Sequence, residues 1–296
     1  MNKKILISTG GSGGHVIPAT IIYKHLEHNF DVSMTSDLRG VKFLNNDEYN
    51  FKIFNVKPIS KNFLTMPFDL FLMIIFIIKS IYFLRKNKIN ILISTGGYMS
   101  IPLCLGAKIL NIKLLLFEPN MVLGRSNKIF ISYCQKIFCY SDNIKKFPIK
   151  FKNKIEVIPS LLRKIFYDKR DNDNSLDTIN LLIIGGSQGA KIFDDLVKNI
   201  IIKLSKKYKL KIYQQTSAIN FESFRKIYEN NNINCELFDF NDEVINFMQK
   251  TDLCITRAGA STLAELNFTE IPYLAIPLPT AKDNHQFENA YFYNKL

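Results

Sequence analysis

The sequence predicts an α/β protein made of two domains, each with a doubly wound parallel sheet. Its 296 residues are enough for two domains of roughly 150 residues each. A strand-like run, a glycine-rich turn and a helical pattern follow one another at the start of the chain, and the same order begins again near residue 180. After each start, apolar strand-like runs alternate with helical patterns, which is typical of parallel sheets.

The first glycine-rich turn, S-T-G-G-S-G-G-H at residues 8–15, follows the apolar run of residues 4–7 and precedes a helical pattern from Ala19. Glycine accepts positive φ and leaves no Cβ between the backbone and a ligand. A strand, a glycine turn and a helix together direct backbone N–H groups toward an anion. The spacing does not match the G-x-G-x-x-G dinucleotide fingerprint, so a turn that binds nothing is the alternative. A second such turn, G-G-S-Q-G-A at residues 185–190, favours the binding interpretation.

Two further turns in the first half carry polar residues at strand ends. The pattern predicts strands at residues 30–35, 51–56, 90–94, 113–117, 135–140 and 156–158. T-G-G-Y follows the strand at 90–94, and E-P-N follows the strand at 113–117. Because open α/β sheets bind ligands at the carboxyl ends of their strands, these turns predict one ligand-binding edge.

The most apolar segment of the chain spans residues 63–84. Its uninterrupted part, from Leu70 to Ile78, is far shorter than the ~20 residues that a membrane-spanning helix needs. One interpretation is a helix packed on the sheet. The other is a helix whose apolar side, including Met73 and Phe76, lies in a membrane surface while flanking Lys and Arg residues contact anionic headgroups. One helix can serve both purposes with different faces.

The second half predicts another α/β domain. The polar stretch at 168–178 indicates a surface loop near the boundary, and we divide the chain into domains 1–162 and 163–296. We expect strands at 179–184, 209–214, 235–239, 252–256 and 272–276, and helices at 189–206, 221–230, 242–249, 260–268 and from about 284. A doubly wound domain would normally continue through another strand and helix, so we expect the second domain to be C-terminally incomplete.

The segment T-R-A-G-A-S-T-L-A-E, residues 256–265, is the most informative part of this half. Ser261 and Thr262 can offer N–H and hydroxyl groups at a helix N-terminus, where a diphosphate is favoured. Glu265 lies one turn further on, and its carboxylate suits the vicinal hydroxyls of a ribose. The alternative is a capping box that begins at Ser261, which the i+4 spacing of Glu265 weakens. A Pro-rich loop with a polar cluster, residues 277–286, follows the last strand at the same edge.

Composition limits the partners. The net charge of +13 suggests an anionic partner, although the abundance of Lys, Asn and Ile is also typical of a base-biased genome. The sequence contains no basic-aromatic module, so we expect no nucleic-acid partner. Five cysteines without a C-x-x-C motif indicate free thiols in a reducing cytosol, and the start of the chain shows no signal peptide. We expect no cofactor and no metal, because no His, Asp and Glu cluster has metal-ligand spacing.

Taken together, G-G-S-G-G-H-V-I-P, S-T-G-G-Y, G-G-S-Q-G-A, T-R-A-G-A-S-T-L-A-E and D-N-H-Q resemble the MurG family, in that family's order and over nearly the whole chain. The resemblance implies a GT-B fold, in which two Rossmann-like domains with parallel sheets face a cleft. It implies inverting transfer of GlcNAc from UDP-GlcNAc to the C4 hydroxyl of MurNAc in undecaprenyl-diphospho-MurNAc-pentapeptide, which converts lipid I to lipid II in peptidoglycan synthesis. It also implies peripheral attachment to the cytoplasmic side of the cell inner membrane, with an anionic surface contacting the segment from Leu70 to Ile78.

The resemblance also assigns roles to residues. The first domain would bind lipid I and the second UDP-GlcNAc, with Glu265 on the ribose and Arg163 near the nucleotide. The other residues implied to bind UDP-GlcNAc are Ser12, Gly13, Asn120, Ser187, Asn241, Ala260, Ser261, Thr262, His285 and Gln286. Of these, Ser187, Ser261 and Thr262 would hold the diphosphate, and the backbone at Asn241 would contact the uracil. Gly10, Gly11 and Gly14 would face the diphosphate of the acceptor.

His15 is the candidate general base. Transfer with inversion requires one base on the acceptor hydroxyl and stabilisation of the leaving diphosphate. A neutral histidine, with a pKa of about 6.5 when unperturbed, can take a proton at neutral pH. Helix N-termini can stabilise the leaving charge without a metal. The alternative is a histidine that only binds phosphate.

The sequence departs from the family at two places. The segment I-P-S-L-L-R, residues 158–163, replaces a G-N-P-V-R-like segment, so only Arg163 transfers readily. The family also has helices beyond position 296. Two other functions remain open: a UDP-GlcNAc 2-epimerase, against which the apolar segment argues, and a non-catalytic membrane-bound subunit that binds a UDP-sugar.

Overall fold

The computed structural model describes residues 3–60, 62–167, 177–186, 191–239 and 244–295. The chain divides into two compact units, Met1–Leu161 and Leu162–Leu296. Each unit contains one parallel β-sheet with helices in its crossover connections.

The sheet of the first unit has seven strands. They are β1 (Lys4–Ser8), β2 (Asp31–Ser36), β3 (Phe51–Ile53), β4 (Ile91–Ser94), β5 (Lys113–Glu118), β6 (Lys136–Cys139) and β7 (Ile155–Val157). Their order is β3-β2-β1-β4-β5-β6-β7, and every pairing is parallel. The strand order reverses between β1 and β4, and Ser8 pairs with Ser94 at their carboxyl ends. The two glycine turns that follow these strands therefore begin side by side, at the switch point where such sheets bind ligands.

The helices of the first unit include three that the sequence pattern did not indicate. The helices are α1 (Gly13–Leu26), α2 (Leu38–Val41), α3 (Met66–Lys86), α4 (Ser100–Ile109) and α5 (Arg125–Phe130), with a 3₁₀ helix at Ile149–Lys154. The three unpredicted helices are α2, α4 and α5. In addition, α1 begins at Gly13 rather than at Ala19, with Pro18 inside it. Val16 and Ala19 are fully buried, so packing on the sheet offsets the poor helix propensity of glycine and proline in these turns.

The helix α3 is longer than the uninterrupted apolar run from Leu70 to Ile78. At 21 residues it is long and apolar enough to cross a membrane, by length and composition only. One side packs closely on α4, because a Cβ at Gly106 would lie 3.2 Å from Leu84 and 3.4 Å from Ser80. The other side is uncovered, with Phe71 59% and Ile78 61% exposed. Met73, which we expected on the uncovered side, is buried and Phe76 is half-buried, because the face toward α4 includes Met73.

The sheet of the second unit has five strands. They are β8 (Ile179–Ile184), β9 (Leu210–Gln215), β10 (Asn234–Phe238), β11 (Leu253–Thr256) and β12 (Tyr273–Ala275), in the order β10-β9-β8-β11-β12. All pairings are again parallel. The order reverses between β8 and β11, and Ile184 pairs with Thr256. The glycine turn after β8 and the A-G-A turn after β11 therefore start next to each other.

The second sheet is covered on both faces. Its helices are α6 (Lys191–Ser205), α7 (Phe221–Glu229), α8 (Val244–Met248), α9 (Ala260–Phe268) and α10 (His285–Tyr293), with 3₁₀ helices at Lys164–Tyr167, Ala218–Asn220 and Lys282–Asn284. Leu182 and Ile184 belong to one buried apolar cluster, while Leu181 and Ile183 belong to another. Alternate residues of β8 thus face opposite layers, as in a parallel sheet between helices. The predicted class, two α/β units with parallel sheets, is confirmed.

Candidate functional site

A buried carboxylate holds the first glycine turn. Asp37, at the end of β2, accepts hydrogen bonds from the backbone N–H of Gly11 at 2.8 Å and of Gly40 at 2.9 Å. Gly11 has a φ of +86°, which a side chain would strain. Burial raises the pKa of Asp37, but the amides of Gly11 and Gly40 and the Arg39 guanidinium outweigh burial and lower it. Asp37 is therefore ionised at neutral pH and fixes the turn.

His15 lies in the first turn of α1 and packs against the second glycine turn of the same unit. Its Nδ1 lies 2.9 Å from the carbonyl oxygen of Thr95, and the Thr95 hydroxyl donates to the His15 carbonyl at 2.9 Å. A carbonyl oxygen only accepts, so Nδ1 carries the proton. In neutral imidazole the lone pair is then on Nε2, which is the form a general base requires.

The T-G-G-Y turn needs glycine because it touches the first turn. A Cβ at Gly96 would lie 3.2 Å from the His15 ring, and a Cβ at Gly97 would lie 2.9 Å from the carbonyl oxygen of Gly10. Both glycines also have positive φ, +92° and +82°. The structure thus joins two motifs that the sequence presented separately.

The helix α1 begins at the loop predicted to bind substrate. Ser12 is its N-cap, and the Ser12 side chain makes no capping hydrogen bond. The Ser12 carbonyl accepts from the N–H of His15 at 3.0 Å and of Val16 at 3.3 Å. Gly13 and Gly14, which we expected in a loop, are the first two helical residues.

Asn120 is held by a buried glutamate that the sequence analysis did not assign to the site. The Asn120 side chain donates to Glu118 Oε1 at 3.0 Å, while Gly124 N and Asn127 Nδ2 donate to Oε2 at 2.7 and 3.0 Å. Burial raises the pKa of Glu118, and these hydrogen bonds offset part of the shift. A Cβ at Gly96 would lie 3.8 Å from Asn127 Nδ2, so this cluster adjoins the His15 turn. The E-P-N turn was the only sequence signal for it.

In the second unit, Gln215 holds the glycine turn after β8. The backbone N–H groups of Gly185 and Gly186 donate to Gln215 Oε1 at 2.9 and 3.1 Å. No motif in the sequence singled out Gln215, which lies at the end of β9. Ser187, the expected diphosphate ligand in this turn, lies outside the described residues, as does Asn241, the expected uracil contact.

The turn after β11 ends in a helix N-terminus. Gly259 is the N-cap of α9, so Ala260, Ser261 and Thr262 are its first three residues. This placement confirms the expected helix start. It also rules out the capping-box alternative with Ser261 as N-cap, because Ser261 is already inside the helix.

Arg163 and Glu265 form a bidentate ion pair. Arg163 Nε donates to Glu265 Oε1 at 2.9 Å, and Nη2 donates to Oε2 at 3.0 Å. The Glu265 side chain is only 4% exposed. Burial raises the pKa of Glu265, and the charge and hydrogen bonds of Arg163 oppose that shift. The structure thus joins two residues with separately predicted roles in one hydrogen-bonded ion pair.

The loop that follows β12 is fixed by side chains from three positions. Arg257 Nη1 donates to the carbonyls of Ile276 and Pro277 at 3.1 and 3.2 Å. Gln286 Oε1 accepts from Leu278 N at 2.8 Å, and His285 Nδ1 lies 2.7 Å from the Lys282 carbonyl. His285 and Gln286, the expected GlcNAc contacts, are therefore both in hydrogen bonds to the loop that precedes α10.

The described residues form neither a metal-binding cluster nor a disulfide bond. No group of three or more His, Cys, Asp or Glu residues among the described residues could hold a metal ion. All five cysteines are free, as predicted, and burial raises the pKa of Cys104 to about 12. The polar clusters described above follow the carboxyl ends of the strands.

Two family models match the chain. The glycosyltransferase family 28 N-terminal domain matches residues 5–139. The glycosyltransferase family 28 C-terminal domain matches residues 180–295. The two matches lie one in each unit and together cover well over half of the chain.

A relative from Pelagibacter ubique (strain HTCC1062) is 84% identical over 296 residues, which are 100% of this chain and 83% of that protein. Its curated name is UDP-N-acetylglucosamine--N-acetylmuramyl-(pentapeptide) pyrophosphoryl-undecaprenol N-acetylglucosamine transferase. An identity this high over the full chain relates the two proteins closely.

Two solved structures illustrate the fold. Acinetobacter baumannii MurG aligns with a TM-score of 0.75 and 23% identity, over 99% of this chain and 83% of that one. UDP-GlcNAc 2-epimerase from Neisseria meningitidis, bound to UDP-GlcNAc, aligns with a TM-score of 0.62 and 13% identity, over 99% and 93%. At these identities the likeness shows the fold alone, and the fold is shared by a transferase and an epimerase.

Proposed function

The chain belongs to glycosyltransferase family 28, and from this premise we propose that it transfers GlcNAc from UDP-GlcNAc to lipid I, forming lipid II. The observation that carries this function is the 84% identity, over the whole chain, to a transferase named for this donor and this acceptor. Epimerase structures share the fold at 13% identity or similar levels, which supports no assignment of activity.

The second unit supplies the donor site in this proposal. The N-terminus of α9 and the turn after β8 lie at adjacent strand ends, and the first backbone N–H groups of α9 suit the diphosphate of UDP. Glu265 accepts hydrogen bonds from the ribose hydroxyls. Arg163 orients this carboxylate, and its charge opposes the rise in pKa that burial causes. When the C1–O bond to the diphosphate breaks, the helix N-terminus stabilises the departing charge.

The first unit supplies the acceptor site and the base. The hydrogen bond from His15 Nδ1–H to Thr95 fixes the ring and its tautomer. Nε2 takes the proton of the C4 hydroxyl as its oxygen forms the new bond to C1 of GlcNAc. UDP leaves from the opposite side of C1, so the anomeric configuration inverts. The first glycine turn, held by Asp37, binds the diphosphate of the lipid acceptor.

The lipid acceptor requires the enzyme to work at a membrane, and we assign the contact to α3. Its uncovered side carries Phe68, Phe71, Ile74 and Ile78, and Lys79 and Arg85 follow near its end. Such a helix can bury its apolar side in the headgroup region while its basic residues contact anionic lipids. In this proposal the protein is peripheral, on the cytoplasmic side of the inner membrane, where UDP-GlcNAc is available.

Transfer of radiolabelled GlcNAc from UDP-GlcNAc to a short-chain lipid I analogue tests the function directly. We expect labelled disaccharide product from this 296-residue chain, and we expect it also in the presence of EDTA. Formation of UDP-N-acetylmannosamine, or of N-acetylmannosamine and UDP, without an acceptor would instead indicate an epimerase. UDP binding without turnover of either kind would favour the non-catalytic subunit.

A further inference from the structure

An arginine that neither the motifs nor the resemblance singled out lies against the first glycine turn. Arg39, in α2, donates to Asp37 Oδ2 from Nε at 3.0 Å and from Nη2 at 2.8 Å. A Cβ built on Gly11 would lie 3.7 Å from Arg39 Nη2. The guanidinium therefore sits beside the backbone of the turn.

Asp37 connects the arginine and the turn. Its Oδ1 accepts from Gly11 N and Gly40 N, and its Oδ2 accepts from Arg39. The carboxylate is 2% exposed, whereas the Arg39 side chain is 59% exposed. The buried carboxylate of Asp37 thus holds one edge of the exposed Arg39 guanidinium and, at the same time, the amide of Gly11.

The guanidinium keeps donors beyond those that Asp37 accepts. It has five N–H groups, and the two hydrogen bonds to Asp37 use two of them. A planar, permanently charged group with several parallel donors matches phosphate oxygens better than an ammonium does.

We propose that Arg39 binds the diphosphate of the lipid-linked acceptor and selects for acceptors that carry two phosphates rather than one. The proposal rests on the proposed function and extends it, because it assigns a specific cation to acceptor recognition. The turn positions one phosphate through its backbone, and Arg39 contacts the other.

The test compares acceptors that differ by one phosphate. KM is measured for a short-chain lipid I analogue with its diphosphate and for the same analogue with a monophosphate, using the wild type, Arg39→Ala and Arg39→Gln. The glutamine can still donate to Asp37 but carries no charge. Lys42→Ala is the control, since it removes one exposed positive charge from the next turn of the chain.

We expect both Arg39 variants to raise KM for the diphosphate acceptor by roughly 10- to 100-fold, the range for losing a hydrogen bond to a charged group. KM for the monophosphate acceptor should rise much less, and KM for UDP-GlcNAc should not change. An equal rise for both acceptors, or no rise for either, would overturn the proposal, because a purely structural arginine cannot distinguish the two.

A binding measurement separates this proposal from the proposed function. Isothermal titration of the diphosphate analogue needs no turnover, so it reports on Arg39 even if the wild type transfers no GlcNAc. Weaker binding by Arg39→Gln at an unchanged unfolding temperature supports the proposal. Equal binding by the wild type and Arg39→Gln contradicts it, whatever the transfer assay shows.

Discussion

In the proposed mechanism the chemistry depends most on His15. Its ring is held by Thr95 and lies against Gly96, where even a Cβ would come within 3.2 Å. We predict that His15→Ala lowers kcat by roughly 10²- to 10⁴-fold, the usual contribution of a general base. KM for UDP-GlcNAc should change less, because we assign most of the donor site to the second unit. Steady-state kinetics with both substrates varied measures the two effects separately.

The same helix offers a matched control. His25→Ala removes a histidine from the last turn of α1, far along the helix from the glycine turn, and should leave kcat unchanged. A fall in acceptor affinity at constant kcat in His15→Ala would show that His15 only binds phosphate, which is the alternative that the sequence left open.

The ion pair between Arg163 and Glu265 predicts a pH dependence of donor binding. Burial raises the pKa of Glu265, so the carboxyl takes up a proton at a higher pH than an ordinary glutamate, while Arg163 limits that rise. A protonated carboxyl cannot accept hydrogen bonds from both ribose hydroxyls, so UDP affinity should fall as the pH is lowered. In Arg163→Ala the opposing charge is gone, and the fall should begin at a higher pH.

Isothermal titration of UDP at a series of pH values measures this shift. Glu265→Gln should bind UDP more weakly, with no acid-dependent loss attributable to this position. If the wild type and Arg163→Ala lose affinity around the same pH, Arg163 does not control the protonation of Glu265.

At the scale of elements, α3 has one packed face and one uncovered face. Its inner face meets α4 at Gly106, and its outer face exposes Phe71 and Ile78. We predict that Phe71→Ser with Ile78→Ser lowers binding to anionic vesicles by about 10-fold or more, since each change removes roughly 1.5–3 kcal/mol of apolar burial. UDP binding should stay unchanged. Vesicle co-sedimentation and UDP titration on the same sample measure both properties.

Ile219→Ser provides the comparison for this pair. Ile219 is 92% exposed but lies in the second unit, so its loss should not affect vesicle binding. Parallel loss of vesicle and UDP binding in the α3 variant would indicate misfolding. Met73 is unsuitable for this test because it is buried, and its replacement would disturb the packing of α3.

At the scale of the whole molecule, the net charge of +13 predicts salt-dependent membrane binding. Attraction to anionic headgroups is screened over a Debye length of about 8 Å at physiological ionic strength. Binding to phosphatidylglycerol vesicles should therefore fall as NaCl is raised, whereas weaker binding to phosphatidylcholine vesicles should not. Identical salt curves for the two lipids would mean that the charge is only a product of composition.

Patterns in the sequence were sufficient to locate the strands along the chain. Most strands of both units, including β8 at Ile179–Ile184, were located within one or two residues because buried parallel strands are short apolar runs between turns. The start of α1 was wrong by six residues, since Gly13, Gly14 and Pro18 argue locally against a helix that packing on the sheet imposes. Propensity is a weak guide wherever tertiary contacts decide.

The site was predictable only where a motif carried it. Ser261, Thr262 and Glu265 stand in one contiguous run, so their common location followed from the helix that contains them. Asp37 and Gln215 hold their turns across distances of 26 and 30 residues along the chain. Such contacts leave no local pattern. Only the three-dimensional arrangement of strand ends brings these side chains to the turns that they support.

Membrane attachment through the uncovered side of α3 would also change the dimensionality of the reaction. An enzyme held on a bilayer by this helix meets its lipid acceptor by lateral diffusion in two dimensions, while UDP-GlcNAc arrives from the bulk. The rate then depends on the mole fraction of lipid acceptor in the bilayer rather than on its concentration in the whole volume. Adding inert lipid at constant total acceptor should dilute the surface and slow the wild type, but should slow the Phe71→Ser and Ile78→Ser double variant far less.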